Sequence, residues 1–317
     1  MMRRYGRTIV TAAAAAVALV AGSGAVEAVT ALVSHPRIVA HFSLSAGQTP
    51  EDIALEPDAA VDVSFAKADQ VARVTRGGQV DVLGQLPASG SCPLIGFPVS
   101  AGIARAGDGT IYVIDCTGNA DTGVWRLRDG SAPVQIAALP ANSFPNDMAL
   151  DGRTGDLYIT DSLLGVVWKV PTRGGGPSVW ATGPALQRTS FFGANGIAVH
   201  DHAVWVSNSD QGTIVKIPIR ADGSAGTIQP MVTGLTGAVD NFTVLGSGDT
   251  ILATLDQSSQ VILIRPASRP QLVLSAMDGL SNPTDIAVRH DTIYVTNAAY
   301  FTFTDPNLLT AHLHLHH

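Results

Sequence analysis

The chain has 317 residues, 46% of them hydrophobic and only 14% charged, so it can bury a sizeable core and is too apolar to be mainly disordered. Its net charge is −7, with no basic run beyond the first seven residues, which excludes the positive footprint that nucleic-acid binding requires. Gly (32) and Pro (18) are frequent, Glu occurs only at positions 27, 51 and 56, and Lys only at 67, 169 and 216; this composition favours strands and turns over helices.

In chain order, Arg3, Arg4 and Arg7 precede an apolar stretch from Ile9 to Val20, and small residues follow at Ser23, Gly24, Ala25 and Ala28. That layout predicts a signal peptide over residues 1–28, cleaved after Ala25 or Ala28, and an exported protein that is secreted or held in the cell envelope. The alternative is an uncleaved anchor, which needs Gly22 to Val26 to reach spanning length. No other stretch is long and apolar enough to span, so no membrane association is expected after cleavage. Cys92 and Cys116 can form a disulfide in an oxidising compartment, or remain as two buried thiols.

The remainder, residues 35–317, reads as one domain built on an internal repeat of 44 to 50 residues. Each unit opens with a polar step, an apolar residue and a small residue. The six are Glu51-Asp52-Ile53-Ala54, Ala101-Gly102-Ile103-Ala104, Asn146-Asp147-Met148-Ala149, Asn195-Gly196-Ile197-Ala198, Asp240-Asn241-Phe242-Thr243 and Thr284-Asp285-Ile286-Ala287. A turn rich in Gly, Asp or His follows, as at Gly107-Asp108-Gly109 and Gly246-Ser247-Gly248-Asp249. Then comes a β-branched or aromatic strand: Val61–Phe65, Ile111–Ile114, Leu157–Thr160, Val204–Ser207, Ile251–Thr254 and Ile293–Thr296. A third strand is visible in five repeats and a fourth more weakly.

Six such units predict an all-β, six-bladed β-propeller. The last repeat has one strand, near Leu308–Leu315, where two are needed. The segment Arg37–Phe42 is therefore expected to supply the missing strand, so that an N-terminal strand closes the ring.

First strands of propeller blades line the central channel. The residue two before each apolar position is Glu51, Ala101, Asn146, Asn195, Asp240 or Thr284. Four of these are carboxylates or amides, and none is Cys or His. Such hard oxygen donors suit a divalent metal, with Ca²⁺ ahead of Mg²⁺ or Mn²⁺. The competing explanation is that Asn and Asp simply shape turns at strand starts. Asp115, Asp161, Asn208 and Asp256 end second strands on the same face and read as turn or supporting residues.

The ordered set Glu51, Asn146, Asn195 and Asp240 resembles the senescence marker protein/gluconolactonase/luciferin-regenerating enzyme family of six-bladed propellers. The resemblance covers about Arg37 to Leu315. It implies that Glu51, Asn195 and Asp240 hold a divalent metal with Asn146 beside them in the metal site. It also implies that Asp240 is the catalytic base and that the activity is hydrolysis of lactones or related esters. The chain departs from the family in its export signal and in Pro50-Glu51-Asp52, where the family often has Glu-Gly-Pro, so the sugar-lactone substrate is not carried over.

Phe97, Phe144, Phe191, Phe192, Phe301 and Phe303 fall in connections on the site's face. They predict an apolar mouth for a hydrophobic small-molecule substrate, with Asn146, Phe97, Phe144, Phe191 and Phe192 as substrate contacts; ordinary loop packing would produce the same pattern. No zinc-protease, phosphate-loop or serine-elbow motif is present. Two rival readings stand beside the hydrolase: a propeller that binds a ligand or partner without turnover, and a non-hydrolytic cyclase acting on an apolar natural-product precursor.

Overall fold

The computed structural model describes residues 32–128 and 130–315; the expected signal segment lies outside them. Strand β1 (Val33–His41) begins the described chain. Blade 1 is β2 (Pro50–Leu55), β3 (Val61–Phe65), β4 (Gln70–Val74) and β5 (Val80–Gln85). Blade 2 is β6 (Val99–Arg105), β7 (Ile111–Cys116), β8 (Gly123–Leu127) and β9 (Val134–Ala138). Blade 3 is β10 (Pro145–Asp151), β11 (Asp156–Asp161), β12 (Val166–Pro171) and β13 (Ser178–Thr182). Blade 4 is β14 (Ala194–His200), β15 (Ala203–Asn208), β16 (Thr213–Pro218) and β17 (Gln229–Val232). Blade 5 is β18 (Val239–Leu245), β19 (Thr250–Leu255), β20 (Gln260–Ile264) and β21 (Gln271–Leu274). Blade 6 is β22 (Pro283–Arg289), β23 (Thr292–Asn297) and β24 (Asn307–Leu313), with β1 as its outer strand.

The six-bladed β-propeller and its closure are both present. β1 pairs antiparallel with β24, from Val33 opposite Leu313 to His41 opposite Asn307. The closing strand begins four residues before the segment expected from the sequence. Its first three positions are Val33, Ser34 and His35, and the last two of these carry no apolar signal.

Burial explains why the second strands were so legible and the fourth so faint. Every residue of β3, β7 and β15 is buried, because these strands are covered by blades on both faces. Outer strands turn one face to solvent, and Val82, Val134, Val179 and Leu272 are each about half exposed there. Their alternation is broken by surface apolar residues, which blurs the period-two pattern.

One irregularity recurs in all six blades. Pairing between first and second strands breaks just before the apolar position: between Pro50 and Ile53, Ser100 and Ile103, Pro145 and Met148, Ala194 and Ile197, Val239 and Phe242, and Pro283 and Ile286. A bulge of this kind frees backbone groups from the ladder and re-aims side chains. Second-strand hydroxyls accept from freed N–H groups, Thr160 from Asp147, Ser207 from Gly196, Thr254 from Asn241 and Thr296 from Asp285, and aspartates in the bulges accept from the apolar residues that follow. Asp52 accepts from Ile53 (2.7 Å) and, across the blade boundary, from Ile103 (2.7 Å). Asp147 accepts from Met148 (2.6 Å) and from Ile197 of blade 4 (2.7 Å). Asp285 accepts from Ile53 of blade 1 (3.0 Å). The blade boundaries 1–2, 3–4 and 6–1 are thus stitched by buried carboxyls.

Of the three blades without an acid at this position, blades 2 and 4 carry Gly102 and Gly196, and blade 5 carries Asn241, whose Oδ1 accepts from Phe242 N at 2.8 Å. A Cβ on Gly102 would stand 2.6 Å from the Met148 nitrogen and 2.7 Å from Asp147 Cα. Backbone cannot yield as a flexible side chain does. Gly102→Ala is expected to destabilise the fold by about 1–3 kcal/mol, read as a lower denaturant midpoint; an unchanged midpoint would show that the blade 2–3 approach is not tight.

Candidate functional site

The bulges place Glu51, Asn146, Asn195 and Asp240 together at one end of the channel, at the base of a cavity of about 620 Å³. Neighbouring blades fix their backbones. Thr160 on β11 donates its hydroxyl to the Asn195 carbonyl, and Ser207 on β15 donates to the Asp240 carbonyl at 2.9 Å.

The two asparagines are oriented by one device used twice. Asn146 Nδ2 donates to Ser162 Oγ (3.0 Å), and Ser162 donates to the Ala194 carbonyl (2.7 Å). Asn195 Nδ2 donates to Ser209 Oγ (2.7 Å), and Ser209 donates to the Val239 carbonyl (2.7 Å). Each serine spends its proton on a carbonyl and so accepts from the amide, which settles which end of the amide is nitrogen. Both amide oxygens are left without a protein donor among the described residues. Asn195 Nδ2 also donates to Asp240 Oδ1 at 2.8 Å.

Sequence reasoning missed three contributors. Tyr300, in the loop after β23, donates its hydroxyl to Glu51 Oε2. Lys67, just after β3, lines the cavity rim. Asp256 follows β19 at the position where Ser162 and Ser209 follow β11 and β15. It opens a turn, as expected, its carbonyl accepting from Ser259 N at 3.1 Å, and it also lines the cavity beside Asp240, with an Oδ1 that accepts no hydrogen bond among the described residues. Aligning the residue after each second strand would have exposed it. Asp161 and Asn208 do hold turns, the former accepting from Leu164 N (2.9 Å), the latter from Gln211 N (3.0 Å).

Burial and mutual repulsion make these carboxyls reluctant to ionise. Glu51 is pushed up to about 7, chiefly by burial and then by the nearby acids, against the lowering effect of Tyr300. Asp256 is pushed to about 7 by burial. Asp240 rises well above the usual carboxylate range through burial, Asp256 and Glu51.

These donors fit a hard divalent cation. Two carboxylates and two free amide oxygens converge, and a cation would relieve the repulsion that holds the acids protonated. Among the described residues no three His, Cys, Asp or Glu side chains form a metal-holding group, so such a cation would depend on the amides of Asn146 and Asn195.

Above the acids the wall is aromatic. Phe97, Phe144, Phe191, Phe192 and Phe301 line the cavity, whereas Phe303 lies outside it and is 71% exposed. Phe192 packs between Phe191 (4.2 Å between centroids) and Phe144 (4.9 Å). Phe144 rests on a disulfide joining Cys92 and Cys116, which resolves the two alternatives for these cysteines. Asp210 anchors the opposite side, accepting from the backbone N–H groups of Thr189, Ser190 and Phe191 at 2.8, 2.7 and 2.9 Å.

No family model and no curated protein matches the sequence. Solved structures match across the propeller. An aldose sugar dehydrogenase from Streptomyces coelicolor, in its PQQ-bound form, aligns with a TM-score of 0.65 at 16% identity, over 89% of this chain and 98% of that one. A gluconolactonase from Xanthomonas campestris aligns with a TM-score of 0.64 at 17% identity, over 90% and 96%. A luciferin-regenerating enzyme aligns with a TM-score of 0.64 at 12% identity, over 88% and 95%. The chain therefore shares its fold with members of the family its motifs resemble.

Two outcomes follow from this geometry. An acid whose folded pKa is raised stabilises the fold fully below its unfolded value near 4, and that contribution is lost as pH rises through about 7. Metal-free protein should accordingly lose thermal stability between about pH 4 and 7, and Glu51→Gln should flatten the loss. Melts followed by circular dichroism across that range check this; an identical slope in the variant would contradict it. Reducing the Cys92–Cys116 bond should lower unfolding free energy by about 2–4 kcal/mol, measured by denaturant titration with and without reductant.

Proposed function

We propose that this propeller is an exported, calcium-dependent hydrolase of lactones or related esters with an apolar portion. The observation that carries the reading is the pair of amide oxygens, from Asn146 and Asn195, locked open by serines toward two buried carboxylates beneath an aromatic mouth. Turn-shaping asparagines have no need of such locks. The motif resemblance and the shared fold support the same reaction class. Export is supported by the N-terminal segment and by a disulfide, which persists in oxidising compartments.

The cation would be held by Glu51, Asn146, Asn195 and Asp240. When bound, it supplies Lewis acidity toward the substrate carbonyl. The chain's own residues do the rest. Asn195 holds Asp240 Oδ1, leaving Oδ2 to accept a proton from the attacking water. The water oxygen bonds to the carbonyl carbon, the acyl–oxygen bond breaks, and the proton passes from Asp240 to the departing oxygen, giving a hydroxy acid from a lactone. Tyr300 orients Glu51 through its hydroxyl. The phenylalanine wall holds the apolar portion and excludes bulk water.

Calorimetric titration of Ca²⁺ should show one saturable site, lost in Glu51→Gln. Across a panel of lactones and aryl esters, Asp240→Asn should reduce kcat by about 10²-fold or more. A protein that binds no Ca²⁺ and hydrolyses nothing in the panel would overturn the reading in favour of a binding propeller or a cyclase.

A further inference from the structure

Lysine is scarce in this chain, and two of its three lysines are neutralised. Lys169 pairs with Asp156 at 2.9 Å and Lys216 with Asp249 at 3.2 Å. Lys67 has no ion pair among the described residues. Its ammonium lies instead over two rings of the cavity wall, 5.6 Å from the Phe97 centroid and 5.7 Å from the Tyr300 centroid. Among the residues lining the cavity it is the one cation.

The acids around it leave that charge available. Asp210 on the rim is occupied by three backbone N–H groups and Ser190 Oγ. Glu51 is engaged by Tyr300, whose own ring carries Lys67 on its face. The two rings hold the ammonium by cation–π attraction, which is modest and consumes none of its three hydrogen-bond donors. A cation parked this way at an apolar rim presents its donors to whatever enters.

We infer that Lys67 selects amphiphilic organic anions: the cavity takes an apolar body carrying one carboxylate or similar anionic group, which pairs with Lys67 at the rim while the body lies on Phe97, Phe191 and Phe192. This substrate class builds on the hydrolase reading for the position of the reacting carbonyl, which points down toward Glu51 and Asp240. The volume, about 620 Å³, lies within the range of small-molecule sites.

Two fluorescent probes of similar shape test this without requiring turnover. 8-Anilinonaphthalene-1-sulfonate is anionic and N-phenyl-1-naphthylamine is neutral. The full-length protein should bind the anionic probe about tenfold more tightly, as expected for one charged hydrogen bond in a partly buried setting, and the preference should shrink at high salt. Lys67→Gln should abolish the preference while the neutral probe stays within about twofold. Lys67→Arg should keep the preference, and Phe191→Ala should weaken both probes. Equal binding of the two probes by the native chain, a preference that survives Lys67→Gln, or no saturable binding of either would overturn the inference. A preference that holds in a protein without hydrolytic activity would leave this inference standing and remove the hydrolase reading. Hydrolysis of neutral esters without any preference would do the reverse.

Discussion

The whole site depends on a bulge made six times. Between each first strand and its partner, two residues leave the ladder at the channel end. Their N–H groups then need partners in a dry interior, where an unmet donor is costly. Hydroxyls of the second strands meet this need in four blades, Thr160 accepting from Asp147 N, Ser207 from Gly196 N, Thr254 from Asn241 N and Thr296 from Asp285 N. Asp52, Asp147 and Asp285, themselves in the bulges, accept from the apolar residues that follow the bulges and so reach across blade boundaries. The same bulge points the neighbouring residues, Glu51, Asn146, Asn195 and Asp240, into the cavity. Ring cohesion and site geometry are therefore two consequences of one backbone feature, and a change at either residue of a bulge is felt by both.

Polar satisfaction is graded along the channel. The inner aspartates are surrounded by backbone donors, so they serve structure. The outer acids have few donors. Among the described residues Asp256 Oδ1 has none, and Glu51 has Tyr300 alone as a side-chain donor. Burial without donors raises a carboxyl's pKa, and mutual repulsion raises it further. Such a group of acids is stable only when protonated or when a cation neutralises it. The aromatic wall sharpens this contrast by lowering the local dielectric, which strengthens every charge interaction below it.

The fold leaves the chemistry open. Similar propellers include a sugar dehydrogenase seen with PQQ and a gluconolactonase, so strand count and closure do not choose between redox and hydrolytic roles. What bears on chemistry in this chain is local: oxygen donors on four blades, glycine at position 102 and alanine at 101 on the second blade, and a phenylalanine-rich rim braced by a disulfide and by Asp210.

By itself the sequence determined the strand repeat, the number of blades, the closing partnership of the two chain ends and the polar set Glu51, Asn146, Asn195 and Asp240. Those are period and position, and a repeat writes them six times in one dimension. Only the tertiary structure decided which amide atoms face the cavity, because that rests on Ser162 and Ser209 spending their protons on the next blade. It also decided that Asp256 joins the site, that Tyr300 reaches Glu51 across 249 residues of sequence, and that Lys67 lies over two rings. Tyr300 and Lys67 lie in loops outside the repeating pattern, whereas Asp256 stands where Ser162 and Ser209 stand in their own repeats. Their partners come from other blades, so no local spacing encodes the contact. Phe303 marks the opposite case, a residue in a rim connection like the others that the loop's path turns out to solvent.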